Sequence, residues 1–231
     1  MSNGPPTPSA LQRRIPNLLT LLRVVLTAAL VAALSVYRFP GEEAWALPAA
    51  IALFVVAACT DALDGYLARR WNAITLFGRV IDPAADKLLV LGTLVMMASP
   101  AFLPAPGSGM ALERVVTGVA PWMVIVILGR ELVVSSLRAV LESEGIDFSA
   151  NLSGKIKMVL QSIGVPAALA VVWLVPAESL DVGGPARWTL DVLFWTVTLA
   201  TIASSIPYAA RMLAHIADQR PAREAAEDLT G

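Results

Sequence analysis

A chain of 231 residues that is 57% hydrophobic and only 15% charged falls well below the roughly 25% charged content of an average soluble domain. The net charge of −1 lacks the basic footprint of a nucleic-acid-binding protein, and the single cysteine, Cys59, excludes an intramolecular disulfide framework and makes a zinc cluster implausible. What remains are recurrent runs of Ala, Leu and Val suited to lipid.

Met1 to Leu11 is rich in Pro, Ser and Gly and reads as a flexible tail. Gln12 to Leu22 combines Arg13 and Arg14 with Ile15, Leu18, Leu19 and Leu22, the pattern of a short interfacial helix on a membrane surface. A membrane-spanning helix needs roughly 20 mostly apolar residues, and such stretches lie at Asn17 to Tyr37, Trp45 to Arg69, Val80 to Ser99, Val115 to Leu141, Lys155 to Val175 and Trp188 to Ala214. The first is too long for a cleaved signal peptide and reads as an anchor. The Ala and Leu content favours helices over barrel strands, whose pattern would alternate with period two. The expected fold is therefore an all-α integral membrane protein with six transmembrane helices and a short N-terminal interfacial helix. Its membrane domain, 12–215, lies between the tail 1–11 and a charged tail 216–231.

Basic residues set the orientation, since they concentrate in the cytoplasm. Arg13, Arg14, Arg69, Arg70, Arg79, Arg138, Lys155, Lys157, Arg211, Arg220 and Arg223 fall on one side, against Arg38, Arg114 and Arg187 on the other. Both termini are expected inside, on the cytoplasmic face of the membrane. Trp45, Trp71, Trp122 and Trp188 near span ends suit an interfacial aromatic belt.

Ionisable groups within spans are expensive, so each is a functional hint. Asp61 and Asp64 close the second span and Asp82 and Asp86 open the third. At roughly 100° per residue, Asp61, Asp64, Gly65, Ala68 and Arg69 face one way, and Gly78, Asp82 and Asp86 form a second stripe. A tight helical hairpin would bring the stripes together. Two carboxylates about 4 Å apart repel by around 4 kcal/mol at an effective dielectric near 20, so something positive must sit among them. Hard oxygen ligands suit Mg2+ or Mn2+, held jointly with substrate phosphates. Gly65, Ala68 and Gly78 leave room for a ligand near the backbone, and the fork of Arg69 suits a phosphate. Taken singly, a Gly or Ala would signal close helix packing, and a lone Asp at a span end would be read as a cap. In register, they point to a site.

Those residues fill every fixed position of DxxDGxxAR, eight intervening residues, then GxxxDxxxD, and the chain thereby resembles the CDP-alcohol phosphatidyltransferase family. The resemblance implies transfer of a phosphatidyl or related group from a CDP-linked donor to an alcohol, with release of CMP. It implies that Asp61, Asp64, Asp82 and Asp86 hold two divalent ions, Mg2+ or Mn2+. Asp86 would also act as general base, and Gly65, Ala68, Arg69 and Gly78 would line the CDP site. Further matches at Ile15 to Arg23, Phe77 to Lys87, Gly129 to Arg138 and Gly154 to Lys157 resemble the branch that joins CDP-diacylglycerol to glycerol 3-phosphate. The resemblance also leaves room for a homodimer.

An acceptor bearing a phosphate needs cations beyond those that hold CDP. Arg130, inside the fourth span, is the first candidate, with Lys155 and Arg79 beside it, although Glu131 would also neutralise Arg130 structurally. Lys155 and Lys157 each fit an ordinary positive-inside anchor. Asn17, Thr20 and Arg23 are placed to cover the donor head group. His215, beyond the last span, and Cys59 are read as quiet. Two alternatives stay open at this point: the same chemistry on serine, inositol phosphate or phosphatidylglycerol, and a divalent-cation or proton-coupled transporter. The absence of an internal repeat disfavours the second.

Overall fold

The computed structural model describes residues 10–41, 43, 45–71, 76–111, 113–143 and 152–213, leaving aside the side chains of 10–13, 68, 69, 76–80, 83, 142, 152, 153 and 155. The regular elements among them are helical: α1 (Ala10–Val36), α2 (Ala46–Arg70), α3 (Leu76–Met97), α4 (Pro121–Ser143), α5 (Leu152–Leu174) and α6 (Pro185–Ala203). Short 3-10 turns occupy Pro100–Phe102 and Ala177–Leu180, and a further helical stretch covers 206–213. The tail 1–9 and the charged tail with His215 lie outside the described residues. The segment Gln12 to Leu22 is the first part of α1, which runs unbroken from Ala10.

Among the described residues four helical stretches are long and apolar enough to cross a membrane: Arg14–Val36, Ala46–Leu67, Ile156–Leu174 and Pro185–Leu213. The runs of α3 and α4 are interrupted by Asp82, Asp86 and Lys87, and by Arg130, Glu131 and Arg138. Outward faces carry exposed Leu21, Val25, Ile125, Val133, Ile163 and Leu199, an apolar surface of the kind lipid covers.

Inward faces follow an alternating three-and-four spacing. On α1 the buried stripe is Pro16, Thr20, Arg23, Thr27, Leu30 and Leu34. On α2 it is Ala50, Phe54, Ala57 and Asp64, with half-buried Asp61 in register. Small residues let helix backbones approach closely, and Ala46, Ala50 and Ala57 are fully buried. Because α1 and α2 are antiparallel neighbours, the beginning of one stripe meets the end of the other. Thr20 and Arg23 thus fall opposite Asp61 and Asp64. The shared core beyond them joins Leu30, Leu34, Phe54, Leu94, Met97, Ile127, Leu169 and Phe194.

Most buried hydroxyls are satisfied within their own helix. Thr27, Thr60, Thr93, Thr198 and Thr201 each donate to a carbonyl three or four residues back at 2.7–2.8 Å, the local bonding expected of Thr in a helix. The charged residues cannot be satisfied that way, and they determine the arrangement of the polar end.

At the other end the loops are laced together. Phe39 N–H donates to Ala101 O and Val116 N–H to Phe102 O, both at 2.9 Å. Thr117 Oγ1 donates to Met97 O at 2.8 Å, and Ala111 N–H to Asp181 Oδ2 at 3.1 Å. Residues 115–120, which fall within the expected fourth span, belong to this loop rather than to a helix. The reason is local: Gly118 has a φ of +80°, a conformation that leaves helical geometry and favours glycine, and α4 begins only at Pro121. A Cβ on Gly118 would stand 3.1 Å from the Leu190 carbonyl carbon and 3.2 Å from Asp191 Oδ1. Gly118→Ala is expected to destabilise the protein by about 1–3 kcal/mol, read as a lowered Tm in detergent.

Candidate active site

The polar end is organised around Arg23, which is 0% exposed. Its guanidinium bridges two residues of α2, with Nη1 2.7 Å from Asp61 Oδ1 and Nη2 hydrogen-bonded to Asp64 Oδ2. Asp64 is itself 4% exposed, so this is a buried ion pair whose two members each need the other. The guanidinium Nε has no hydrogen-bond partner among the described residues. One turn earlier, Thr20 Oγ1 donates to Asp82 Oδ1 of α3 at 2.5 Å. From one face, α1 therefore reaches both α2 and α3.

Asp61 and Asp64 share Arg23, Asp82 is held by Thr20, Asp64 lies within electrostatic range of Asp61 and Asp82, and Asp86 within range of Asp61 and Arg23. Among the described residues no three His, Cys, Asp or Glu side chains converge closely enough to form a ready-made cation cage. The donor chemistry nonetheless fits a hard dication. Carboxylate oxygens from adjacent helices face a common seam, and a cation, the Arg23 guanidinium, is already seated between two of them.

A second charged group lies on the other side of Asp86. Lys157 of α5, 7% exposed, pairs with Glu131 of α4, and the same Glu131 Oε1 accepts from Arg130 Nη1 at 3.2 Å. The structural pairing of Arg130 with Glu131 anticipated from their adjacency is thus present. Lys87 Nζ donates to Ser135 Oγ at 2.5 Å. Arg130 also lies 5.9 Å from the ring centroid of Tyr208, whose hydroxyl accepts from Arg138 Nη2 at 3.4 Å. Asp86 lies within electrostatic range of Lys157 and Glu131 as well as of Asp61. With Lys87, Glu131, Lys157 and Gln161 it lines a cleft of about 20 Å3, space for about one water molecule. Two cations share a single carboxylate oxygen here, and Arg130 Nε and Gln161 Nε2 are buried with no hydrogen-bond partner among the described residues. Such unspent donors and excess positive charge suit an anionic ligand.

Gly65, Ala68 and Arg69 lie in the last turns of α2, Gly78 and Arg79 at the beginning of α3, and Lys155 at the beginning of α5. The side chains of Ala68, Arg69, Arg79 and Lys155 lie outside the described residues. Lys157 and Gln161 are the members of this region that sequence reasoning passed over in favour of Lys155. The signal was present in the inward stripe Lys157, Gln161, Val165, Ala168 and Val172. Arg23, expected with Asn17 and Thr20 to cover the donor head group, is directed by the α1 stripe at Asp61 and Asp64.

A sequence model of the CDP-alcohol phosphatidyltransferase family matches residues 13–203. The chain is 36% identical over 68% of its length to a CDP-diacylglycerol–glycerol-3-phosphate 3-phosphatidyltransferase of Bacillus subtilis, covering 69% of that protein. It is 34% identical over 71% of its length to a protein of the same description, numbered 2, from Arabidopsis thaliana, again covering 69%. The protein of that description from Escherichia coli K12 is 32% identical and is covered in full by 90% of this chain.

Removing the central guanidinium leaves Asp64 buried without its counter-charge. Arg23→Gln is expected to lower the stability of the metal-free protein by about 3 kcal/mol. The check is thermal unfolding in detergent with a chelator present, where an unchanged Tm would show that the pair contributes nothing.

Proposed function

The chain belongs to the CDP-alcohol phosphatidyltransferase family, and on that premise we propose that it transfers the phosphatidyl group of CDP-diacylglycerol to glycerol 3-phosphate, giving phosphatidylglycerophosphate and CMP. The naming of its relatives supports this reading of donor and acceptor. The observation that carries it physically is the position of Asp86, between an acid pair with its cation on one side and a surplus of buried cations on the other.

Six spans make up the membrane domain 12–215, flanked by tails 1–11 and 216–231, with α3 and α4 crossing the membrane because their charges face inward. The termini and the aspartates face the cytoplasm, in line with the asymmetry of Arg and Lys. Asp61, Asp64, Asp82 and Asp86 would hold a pair of Mg2+ or Mn2+ ions, which supply charge neutralisation for the pyrophosphate and for the departing CMP. Arg23 would yield its place between Asp61 and Asp64 and turn its free donors toward a donor phosphate. Gly65, Ala68, Arg69 and Gly78 would line the CDP moiety, the first, second and fourth by leaving room and the third by a charge-assisted hydrogen bond.

In the reaction the acceptor hydroxyl oxygen attacks the phosphorus that bears the diacylglycerol, and the bond from that phosphorus to CMP breaks. Asp86 accepts the hydroxyl proton as general base, an arrangement worth about 100-fold or more in rate. Arg130, Lys155 and Arg79, joined by Lys157, would hold the acceptor phosphate, which replaces Glu131 as the partner of the cations. Releasing Lys157 from Glu131 also opens the cleft beside Asp86.

The test is CMP release from CDP-diacylglycerol with glycerol 3-phosphate, glycerol, serine, inositol and inositol phosphate as acceptors, in the presence of Mg2+. Glycerol 3-phosphate alone is expected to support turnover, and activity confined to an unphosphorylated acceptor would remove the role of the cation group. Asp86→Asn is expected to lower turnover by at least about 100-fold while leaving donor binding intact. Lys157→Gln is expected to raise KM for glycerol 3-phosphate about tenfold, the worth of one charge-assisted hydrogen bond. A near-normal KM in that variant would place the phosphate elsewhere.

A further inference from the structure

At the end of the helices away from the aspartates, a cavity of about 520 Å3 opens between the loop ending at Ala120, the start of α4 and the start of α6. Ala98, on its wall, directly follows α3 and is twelve residues beyond Asp86, about 18 Å at 1.5 Å per residue. No step of phosphatidyl transfer reaches it. The volume falls in the range of small-molecule sites, which combine apolar walls with a few fixed polar groups.

The walls are apolar and aromatic. Trp122 of α4 and Trp195 of α6 line the cavity with their rings tilted together, centroids 5.4 Å apart. The polar groups are two guanidiniums of different kinds. Arg187 is buried and fixed: Nε donates to Asp191 Oδ2 at 3.0 Å, Nη2 stands 2.9 Å from Asp191 Oδ1, and Nη1 donates to Val115 O at 2.5 Å. Its charge is cancelled by Asp191. Arg114 is exposed and has no hydrogen bond or ion pair among the described residues; Glu113 shares with it, and with Arg187 and Asp191, the adjoining cleft without pairing to it. The cavity's own walls therefore carry two guanidiniums against one carboxylate beside an apolar slot, and Arg114 is the guanidinium without an ion-pair partner among the described residues. The laced loops and the seat of Gly118 on α6 hold these groups in place before any ligand arrives.

We propose that this cavity binds one anionic phospholipid from the leaflet opposite the aspartates. Its phosphodiester rests against Arg114 and Arg187, and the first part of an acyl chain lies along Trp122 and Trp195. The charge balance selects this class of ligand. A phosphodiester with a single negative charge neutralises Arg114, a zwitterionic lipid brings an extra cation to an already positive site, and a soluble anion leaves the apolar walls unused. Cations at a membrane interface attract anionic lipid by this same interaction.

The experiment uses the full chain in nanodiscs of phosphatidylcholine doped with phosphatidylglycerol, with retained lipid counted by native mass spectrometry. Phosphatidylglycerol is expected to be retained in preference to phosphatidylcholine. Arg114→Gln is expected to reduce that retention about fivefold, the effect of one interfacial cation, with CMP release unchanged. Lipid held at the aspartate end would be insensitive to this substitution. Equal retention in the variant overturns the proposal, as does equal retention of the two lipids or a rise in Tm with inorganic phosphate alone that matches the rise with phosphatidylglycerol. Retention that depends on Arg114 in a protein releasing no CMP would uphold the lipid site while sinking the transferase reading.

Discussion

The buried contact of one guanidinium with two carboxylates governs the polar half of this protein. Arg23 has no exposure and Asp64 almost none, and neither could stand in a low-dielectric interior alone. Their need for each other fixes the rotation of α1 about its axis and its register against α2. Thr20, one turn away on the same stripe, then meets Asp82 and sets α3 as well. The arrangement also explains how acidic residues can be gathered in a membrane domain without mutual repulsion driving them apart. A positive group belongs to the fold itself.

Much of this was legible in the amino-acid sequence, and the parts that were not share a cause. Helical content followed from Ala-rich and Leu-rich runs, and the acid stripes followed from the spacing of Asp61, Asp64, Asp82 and Asp86. Those are properties of single segments. The partner of each charge is a property of two segments, and the pairing of Lys157 with Glu131 depends on how α5 is rotated toward α4. That rotation was encoded in the inward positions Lys157, Gln161 and Val165, but only a reading of the whole stripe reveals it. Arg23 is the same case, since its facing residues lie some forty positions away. Hydropathy also carried the fourth span back to Val115, because Val115 and Val116 are apolar. The left-handed Gly118 and the entry at Pro121 decide otherwise, and neither leaves a mark on an averaged hydropathy.

The distribution of polar groups divides the molecule by purpose. Through the middle, threonine hydroxyls are bonded to their own helices and the contacts between helices are apolar. Toward one end the polar groups instead bond between helices: Arg23 with Asp61 and Asp64, Thr20 with Asp82, Lys157 with Glu131, Lys87 with Ser135. Bonds of this kind are exchangeable for bonds to a ligand, because the donors and acceptors remain while their partners change. That end also keeps buried donors in reserve, at Arg23 Nε, Arg130 Nε and Gln161 Nε2.

The loop network at the far end has a mechanical corollary. Backbone bonds from Phe39 to Ala101 and from Val116 to Phe102, and the tether from Ala111 to Asp181, join the connections between successive helices into one stiff collar. Helices clamped at one end can part only at the other, as the arms of tweezers do. Any widening of the bundle thus falls to the end that carries the aspartates, while the collar keeps its seal.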